Sequence, residues 1–364
     1  MNEYDHDYTR RTFLYRAAAY LGLLTGGRLL TACSAEAPSP TASPTTAARP
    51  TAEPTPRQTQ SETTAPTERP EDGTTPPETS AAPTSTATPD QSLSRPHLAV
   101  ARGGDPEEMV RRALAALGGM ERFVQAGDDV VVKPNICVAY HTYEYAATTN
   151  PWVVGALVKL ALEAGAHRVR VMDFPFGGSA EQAYVKSGIQ EQVKQAGGQM
   201  EVMTRFKFVD TQIPDGRDLQ QCKIYDGVLK ADVVIDVPIA KHHGLARLTL
   251  GMKNLMGVIF DRPAMHRNLG QRLADLSSRV QPDLTVVDAV RMLMNHGPTG
   301  GNLDDVKQAD TIIASPDIVA ADSYAATLFG LRPDELGYVQ AGTAMGLGRS
   351  DLDALKIEEI TVDG

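Results

Sequence analysis

The residues best suited to chemistry lie in the stretch from Asp236 to His266. Long cationic side chains are rarely buried without partners, and the apolar residues and glycines between them indicate a buried setting here. A bound anion, or a carboxylate with a metal, would supply such partners, and an internal ion-pair network is the alternative. The charged and imidazole groups of the stretch that could take part in chemistry include Asp236, Lys241, His242, His243, Lys253, Asp261, Arg262 and His266.

Apolar segments of strand length alternate with helical patterns along the second part of the chain. This alternation predicts an α/β fold with a mainly parallel central sheet and helices on both faces. Helices are predicted to begin after Asp105 and Asn150, which each precede a proline, and after Ser179, which forms a capping box with Gln182. The predicted strands are Leu98–Ala101, Val130–Val132, Arg168–Met172, Met200–Met203, Val233–Val237, Leu284–Val287, Thr311–Ala314 and Ile357–Val362.

Five of these predicted strands are followed at once by polar residues. Ligands of open parallel sheets bind outside the carboxyl ends of the strands, where neighbouring ends lie together. We therefore expect a cleft at one edge of the sheet, although any single strand end of this kind is more simply a turn or a helix cap. The polar segments are Lys133–Asn135, Asp173–Pro175, Lys241–His243, Asp288 with 295–301, and Ser315–Asp317.

The expected cleft suits a small anionic ligand or substrate, such as a phosphate or a carboxylate. The candidate catalytic residues are His242, His266, Lys253 and Asp173. The candidate ligand-binding residues are Lys133, Asn135, Lys241, Asn254, Arg262, Gly297, Gly300 and Gly301. For the lysines the alternative is an internal salt bridge to Asp173 or Asp236, and for the asparagines it is turn stabilisation.

A divalent metal is a candidate cofactor, because imidazole with carboxylate suits zinc, iron, nickel or manganese. The candidate metal ligands are His242, His266, Asp288 and His296. The same histidines could instead act as acid and base near neutral pH, or form ordinary hydrogen bonds.

The first 32 residues are interpreted as a signal peptide. Thr9–Leu14 has the twin-arginine export pattern, and the apolar segment Ala17–Leu30 is too short to span a bilayer. Leu30–Cys33 reads as a lipobox, so the mature protein is expected to begin at a lipidated Cys33, anchored to a membrane outside the cytoplasm. An ordinary apolar N-terminus with a chance arginine pair is the alternative.

Residues 33–95 are rich in Thr, Pro, Ser and Ala, and this composition predicts a disordered stalk. Residues 96–364 are then the folded α/β domain. The formal net charge of the chain is −10, which argues against nucleic acid as a partner. The chain has 3 cysteines, of which only Cys137 and Cys222 follow the lipobox, so no iron–sulfur cluster is expected.

Several motifs together resemble the domain of unknown function 362 family over residues 97 to 345. Some members of that family carry a ferredoxin-like iron–sulfur module, whose cysteines this chain lacks. The motifs are Lys133–Asn135, Ala147–Pro151, Lys241–His242, Leu250–Gly257, Gly297–Gly301 and Ala314–Asp322.

A second resemblance concerns the arrangement of Gly251, Lys253 and His266. It is similar to the glycine–lysine–histidine stretch of the nickel-pincer lactate racemase family, in which a lysine holds the cofactor and a histidine binds nickel. The spacing and the flanking residues differ in this chain. The resemblance implies, by analogy, a cofactor-dependent role for the lysine.

Three classes of function are compatible with the sequence. The first is a metal- or cofactor-dependent enzyme that acts on a small anion, which twin-arginine export favours because that route carries folded proteins. The second is a ligand-binding lipoprotein that uses the same cleft without catalysis. The third is a structural surface protein, for which the polar strand ends would have no purpose.

Overall fold

The structure is a computed structural model that describes residues 95–363. The predicted signal peptide, the lipobox with Cys33 and the predicted stalk up to residue 94 lie outside the described residues. Between residues 95 and 363, none of the helices combines the length and the apolar character that a membrane span requires.

A large mixed sheet forms the centre of the described part, and a separate two-stranded sheet lies beside it. The strands are β1 Leu98–Arg102, β2 Asp129–Pro134, β3 Arg168–Val171, β4 Gln199–Met200, β5 Phe208–Gln212, β6 Gln221–Tyr225, β7 Val233–Val237, β8 Ile239–His243, β9 Arg247–Thr249, β10 Leu284–Leu293, β11 Val306–Ser315 and β12 Ile357–Thr361. The helices are α1 Pro106–Ala116, α2 Pro151–Glu163, α3 Ala180–Lys186, α4 Ile189–Gln195, α5 Asp226–Leu229, α6 Gly251–Asn254, α7 Leu269–Val280, α8 Ile318–Thr327 and α9 Gly337–Ala344.

The central sheet has the strand order β12-β1-β11-β10-β7-β2-β3-β4. All neighbours in this order pair in parallel except β11, which is antiparallel to both β1 and β10. β8 begins one residue after β7 ends. It pairs in parallel with a part of β10 that lies beyond the part paired with β7, so it continues in the direction of β7. The predicted α/β fold with a mainly parallel sheet is confirmed.

Alternating side chains of the strands supply two apolar cores, one on each face of the sheet. On β2, Val130 and Val132 join the core that contains residues of α1, α2 and α4. Val131 points the other way, into the core that contains residues of α6, α7, α8 and α9. Because strand side chains alternate between the faces, a strand covered on both faces presents apolar side chains to each, as the three consecutive valines 130–132 of β2 do.

The predicted helix starts are confirmed at the three capping residues. Asp105 accepts hydrogen bonds from the first turn of α1, and Asn150 accepts one from Trp152 N at the start of α2. Ser179 and Gln182 form the predicted capping box at the start of α3.

One predicted strand end lies at the wrong edge of the sheet. β11 runs antiparallel to β10, and Ser315 at its carboxyl end pairs with Thr285 near the amino end of β10. Asp317 therefore lies at the edge opposite to Lys133, where its Oδ1 accepts a hydrogen bond from Ala320 N and caps α8. The expectation that five strand ends converge is thus wrong for this one.

Candidate functional site

The carboxyl ends of β2 and β3 meet at a buried ion pair. Lys133 Nζ lies 3.0 Å from Asp173 Oδ1, and both side chains are buried. The same ammonium donates to Asn254 Oδ1 at 2.8 Å and to Pro134 O at 3.0 Å. Lys133 thus donates two hydrogen bonds and balances its charge against Asp173, whose Oδ1 accepts no hydrogen bond from residues 95–363. The salt bridge to Asp173, one of the two alternatives for this lysine, is present.

Asn254 lies at the centre of a hydrogen-bonded network that joins α6 to β2 and β7. Its Oδ1 also accepts from Asn135 Nδ2 at 2.9 Å. Its Nδ2 donates to Lys133 O at 3.1 Å and to Asp236 Oδ1 at 2.8 Å. The amide group thus makes four hydrogen bonds, which are as many as it can well make, and the network fixes α6 against the strand ends.

Lys241, on β8, is also satisfied by protein atoms. Its Nζ donates to Asn135 Oδ1 at 3.0 Å, Ala147 O at 2.6 Å and Pro298 O at 2.9 Å, and Cys137 Sγ lies at 3.2 Å. Four acceptors surround three N–H groups. The structure therefore brings Lys133, Asn135, Lys241 and Asn254 together as predicted, but their donors bind protein atoms.

Lys253 differs from these lysines. Its side chain is only 9% exposed, and it makes no hydrogen bond or ion pair with any residue between 95 and 363. Burial first, and then the charges of Lys241, Lys133 and Arg262, lower its pKa to about 8, while Cys137 opposes the shift. A mostly buried cation next to three other cations is unfavourable unless an anion joins it.

The ammonium of Lys253 is nevertheless not sealed from solvent. Among the described residues, the fully enclosed polar side-chain atoms that lack a hydrogen-bond partner include Asp236 Oδ2 and Thr249 Oγ1, but not Lys253 Nζ. The stem of Lys253 is thus buried while its nitrogen keeps some contact with solvent.

Arg262 contributes a second cation to this region. Its guanidinium lies over the ring of Phe174, with Cζ 4.8 Å from the ring centre, and its Nη2 donates to Pro175 O at 3.2 Å. Burial lowers its pKa, whereas Asp173 acts in the opposite direction. A guanidinium has five N–H groups, so most of them remain for a ligand.

No role was predicted for His243 from the sequence, yet it lies close enough to Lys253 and Lys241 for their charges to act on it. Its Nδ1 accepts hydrogen bonds from Leu245 N at 3.1 Å and from Ala246 N at 3.2 Å, so the ring proton is assigned to Nε2. Burial, followed by the charges of Lys253 and Lys241, lowers its pKa to about 3. His243 is therefore a neutral imidazole with one free N–H donor.

The other predicted histidines occupy different settings. His242 is half-buried, and its Nδ1 accepts a hydrogen bond from Gly297 N at 3.1 Å. His266 is exposed, yet its charge acts on His243, which places it beside the same cluster.

Two buried carboxyl groups accept hydrogen bonds from residues of α6. Asp236 is fully buried, and burial raises its pKa well above the ordinary value while Lys133 opposes the shift. Asp322, on α8, accepts from Gly251 N at 2.6 Å and from Met252 N at 3.0 Å, and burial raises its pKa to about 7. Asp322 thus holds the first turn of α6. The only feature of the sequence that pointed to Asp322 was its position in the motif Ala314–Asp322.

The structure does not gather the predicted metal ligands into one site within the described residues. Within the described part of the chain, no group of three or more His, Cys, Asp or Glu side chains could hold a metal ion. Asp288 is buried on β10, where it accepts from Asn150 N at 2.7 Å and from Val290 N at 3.0 Å. His296 is 77% exposed and its Nδ1 lies 2.7 Å from Asp305 Oδ2.

Two glycines allow close packing at the site. A Cβ on Gly257 would overlap Asp173 Oδ1 and crowd Lys133 Nζ, so only glycine fits against the ion pair. A Cβ on Gly297 would overlap His242 O in the same way. The predicted ligand-binding residues Gly300 and Gly301 have positive φ angles and lie against Tyr145 O and His141. These contacts indicate packing of the loop after β10.

A surface depression of about 370 Å³ opens elsewhere, between Trp152, Arg291 and Asp310. None of the predicted site residues lines it.

The chain is similar to thylakoid-associated protein sll1697 of Synechocystis sp., with 27% identity over 253 residues, which are 65% of this chain and 74% of that protein. Among solved structures, it is similar to the lactate racemase apoprotein of Thermoanaerobacterium thermosaccharolyticum, with 12% identity and a TM-score of 0.37 over 58% of this chain and 53% of that one. A protein of Thermotoga maritima gives 14% identity and a TM-score of 0.38 over 62% of this chain and 60% of that one. The chain thus spans less than two thirds of either solved chain.

The family resemblance seen in the motifs is confirmed. The family model described as "Domain of unknown function (DUF362)" matches residues 130–327, more than half of the chain, and the chain therefore belongs to this family.

Proposed function

We propose that the α/β domain binds a small anion, a carboxylate or a phosphate, at Lys253 and Arg262. The observation that carries this proposal is the partnerless ammonium of Lys253, which is 9% exposed and has no acceptor among residues 95–363. Buried cations without partners are rare because they lose their hydration and gain nothing in return.

The surrounding charges favour an anion more than a neutral ligand. Lys241, Lys133 and Arg262 all act on Lys253, and of these three only Lys133 forms an ion pair with an acid among residues 95–363, namely Asp173. An anion bound at Lys253 would offset the mutual repulsion of these cations. It would also accept hydrogen bonds from N–H groups of Lys253 and Arg262 that have no protein acceptor.

The donor set suits an anion better than a metal ion. His243 is turned so that Nδ1 faces backbone amides, and the charges of Lys241, Lys133 and Arg262 all act on Lys253. Cations repel a divalent metal, whereas an organic cofactor with a phosphate or a carboxylate would be attracted. An anionic cofactor is therefore compatible with the proposed site.

We further propose that this domain is exported and anchored to a membrane by lipid on Cys33. The support is the twin-arginine pattern followed by a lipobox in the first 33 residues. The related Synechocystis protein is named thylakoid-associated, which agrees with association with a membrane.

Calorimetric titration with inorganic phosphate, acetate and pyruvate tests the anion site. We expect at least one of these anions to bind the wild-type protein, with binding at least about tenfold weaker in Lys253→Met. Lys230→Met is the matched control, because Lys230 is 74% exposed and pairs only with Asp226. Equal affinity of the Lys253→Met and wild-type proteins, or no binding of any of the three anions, would contradict the proposal.

The alternative is a catalytic function in which the same anion is a substrate. The observation that favours it is the coexistence of Lys253, whose pKa is lowered to about 8, with the neutral His243 in one cluster. Groups that change protonation state near neutral pH are common in catalytic sites.

A further inference from the structure

We infer that Lys253 forms an imine with a carbonyl compound that carries a carboxylate or a phosphate. The inference rests on the proposed anion site and names its substrate class: oxo acids and phosphorylated aldehydes or ketones. It assigns Lys253 as the nucleophile and the neighbouring cations as the groups that hold the anionic end.

A nucleophilic lysine needs a free amine and room for the carbonyl carbon. Lys133 and Lys241 lack a free amine, since Lys241 donates hydrogen bonds to three oxygen acceptors and Lys133 donates two hydrogen bonds and forms an ion pair with Asp173. Lys253 has no acceptor among the described residues, and its Nζ is not enclosed. Of the three lysines in the cluster, Lys253 is thus the one whose nitrogen can reach a ligand.

The surroundings of Lys253 also favour the neutral amine. With a pKa of about 8, about a quarter of the side chain is unprotonated at pH 7.5, whereas an ordinary lysine is unprotonated about once in a thousand. The cause is physical: a poorly hydrated ammonium lies next to the charges of Lys241, Lys133 and Arg262. Desolvation beside other cations is one established way to activate a lysine.

The same cations orient the substrate. Arg262 donates one hydrogen bond to Pro175 O and keeps other N–H groups for a carboxylate or a phosphate. A substrate held there by its anionic end brings a carbonyl one or two bonds away towards Lys253. An uncharged ketone lacks this anchor and would react slowly.

The proposed reaction needs no oxidant or reductant. The amine nitrogen of Lys253 attacks the carbonyl carbon, a C–N bond forms, and the oxygen takes up a proton to give a carbinolamine. The C–O bond then breaks and the oxygen leaves as water, so that the two amine protons and the carbonyl oxygen account for the water formed. The Nε2–H of His243 is assigned as a hydrogen-bond donor, because the neutral ring keeps this proton.

Reductive trapping tests the imine. The full chain is incubated with pyruvate, glyoxylate or pyridoxal 5′-phosphate and cyanoborohydride, and the modified peptides are mapped by mass spectrometry. We expect Lys253 to be modified at least tenfold faster than the exposed Lys230 within the same molecule, and acetone to label it far more slowly. Lys253→Arg keeps the charge but cannot form the adduct, so it should lose the labelling and still bind phosphate.

The outcomes separate this inference from the proposed anion site. If phosphate binds but Lys253 is trapped no faster than Lys230, the imine is wrong and the anion site stands. If neither trapping nor anion binding occurs, both are wrong. A lysine that acts only as a base would give no reduced adduct. The absence of an adduct on Lys253 therefore also contradicts the imine.

Discussion

Lys133 Nζ donates a hydrogen bond of 2.8 Å to Asn254 Oδ1, across 121 residues of sequence. The bond joins the carboxyl end of β2 to α6, the short helix that also carries Lys253. Two adjacent residues of α6 thus have opposite surroundings: Asn254 makes four hydrogen bonds, and Lys253 makes none with the described residues. The hydrogen bonds of Asn254 fix α6 in place. They therefore hold the ammonium of Lys253 in a mostly buried position that is unfavourable for its charge.

Asn254→Ala should lower the free energy of unfolding by roughly 3–5 kcal/mol. The change removes one acceptor each from Lys133 and Asn135 and leaves the buried carboxyl of Asp236 without its amide donor. Chemical denaturation measures the effect. Asn295→Ala is the control, because Asn295 is exposed and makes no hydrogen bond within residues 95–363, and it should change stability by less than about 0.5 kcal/mol. A loss below about 1 kcal/mol for Asn254→Ala would contradict the network.

Gly257→Ala should disrupt the ion pair between Lys133 and Asp173. The added methyl group would overlap Asp173 Oδ1, and the surrounding atoms are too closely packed to move without a penalty. We expect a loss of about 2–4 kcal/mol and weaker anion binding, measured by denaturation and calorimetry. Gly244→Ala is the matched control, since no atom lies within 4 Å of its added methyl group. Similar effects of the two substitutions would mean that the close approach at Gly257 has no importance.

Lys253→Met should stabilise the ligand-free protein at pH 7. The pKa of Lys253 is lowered from 10.5 to about 8, so the folded state holds its proton less strongly than the unfolded state does. The penalty is present in full below pH 8, declines as the pH rises from 8 to 10.5, and is absent above that range. We expect a gain of up to about 3 kcal/mol at pH 7 that disappears near pH 10.5.

Denaturation of the wild-type and Lys253→Met proteins across this pH range checks that prediction. A loss of roughly 3–5 kcal/mol at pH 7 would instead show that the substitution had left a partner acid without its cation. That outcome would restore the ion-pair alternative for Lys253 and remove the main argument for an anion.

The sequence largely predicted which edge of the sheet carries the candidate site and which residues lie there. Lys133 follows three buried valines, and Asp173 follows the predicted strand Arg168–Met172. The ends of neighbouring parallel strands must meet at one edge. The direction of β11 was not predictable, because the apolar segment Thr311–Ala314 has the same pattern in both directions. Its reversal removed Asp317 from the predicted cleft.

The partners of the individual cations could not be predicted. Lys241 reaches Asn135 over 106 residues and Lys133 reaches Asn254 over 121, and such pairings depend on how the segments cross in space. The two-stranded sheet of β5 and β6 was missed because each strand mixes exposed and buried residues without a regular alternation. β8 was missed because Lys241 and the two histidines that follow it resemble a polar loop.

Cys33→Ala should release the protein from the membrane fraction. The lipobox is the only predicted anchor, and a single lipidated cysteine is expected to hold the mature chain. Fractionation of cells followed by immunoblotting measures the distribution. Cys222→Ala is the control and should leave the distribution unchanged. If the Cys33→Ala protein stays with the membrane, anchoring by lipid at this residue is wrong.

The most direct test of the account is the pKa of Lys253 itself, measured by NMR titration of the lysine Cε and Nζ resonances. The spectrum of Lys253→Met assigns the signal. We predict a pKa of about 8 in the free protein, which rises clearly when phosphate is bound, because a bound anion favours the ammonium. A pKa near the ordinary 10.5 in the free protein, unchanged by phosphate, would contradict the central claim that Lys253 is a mostly buried cation that binds an anion.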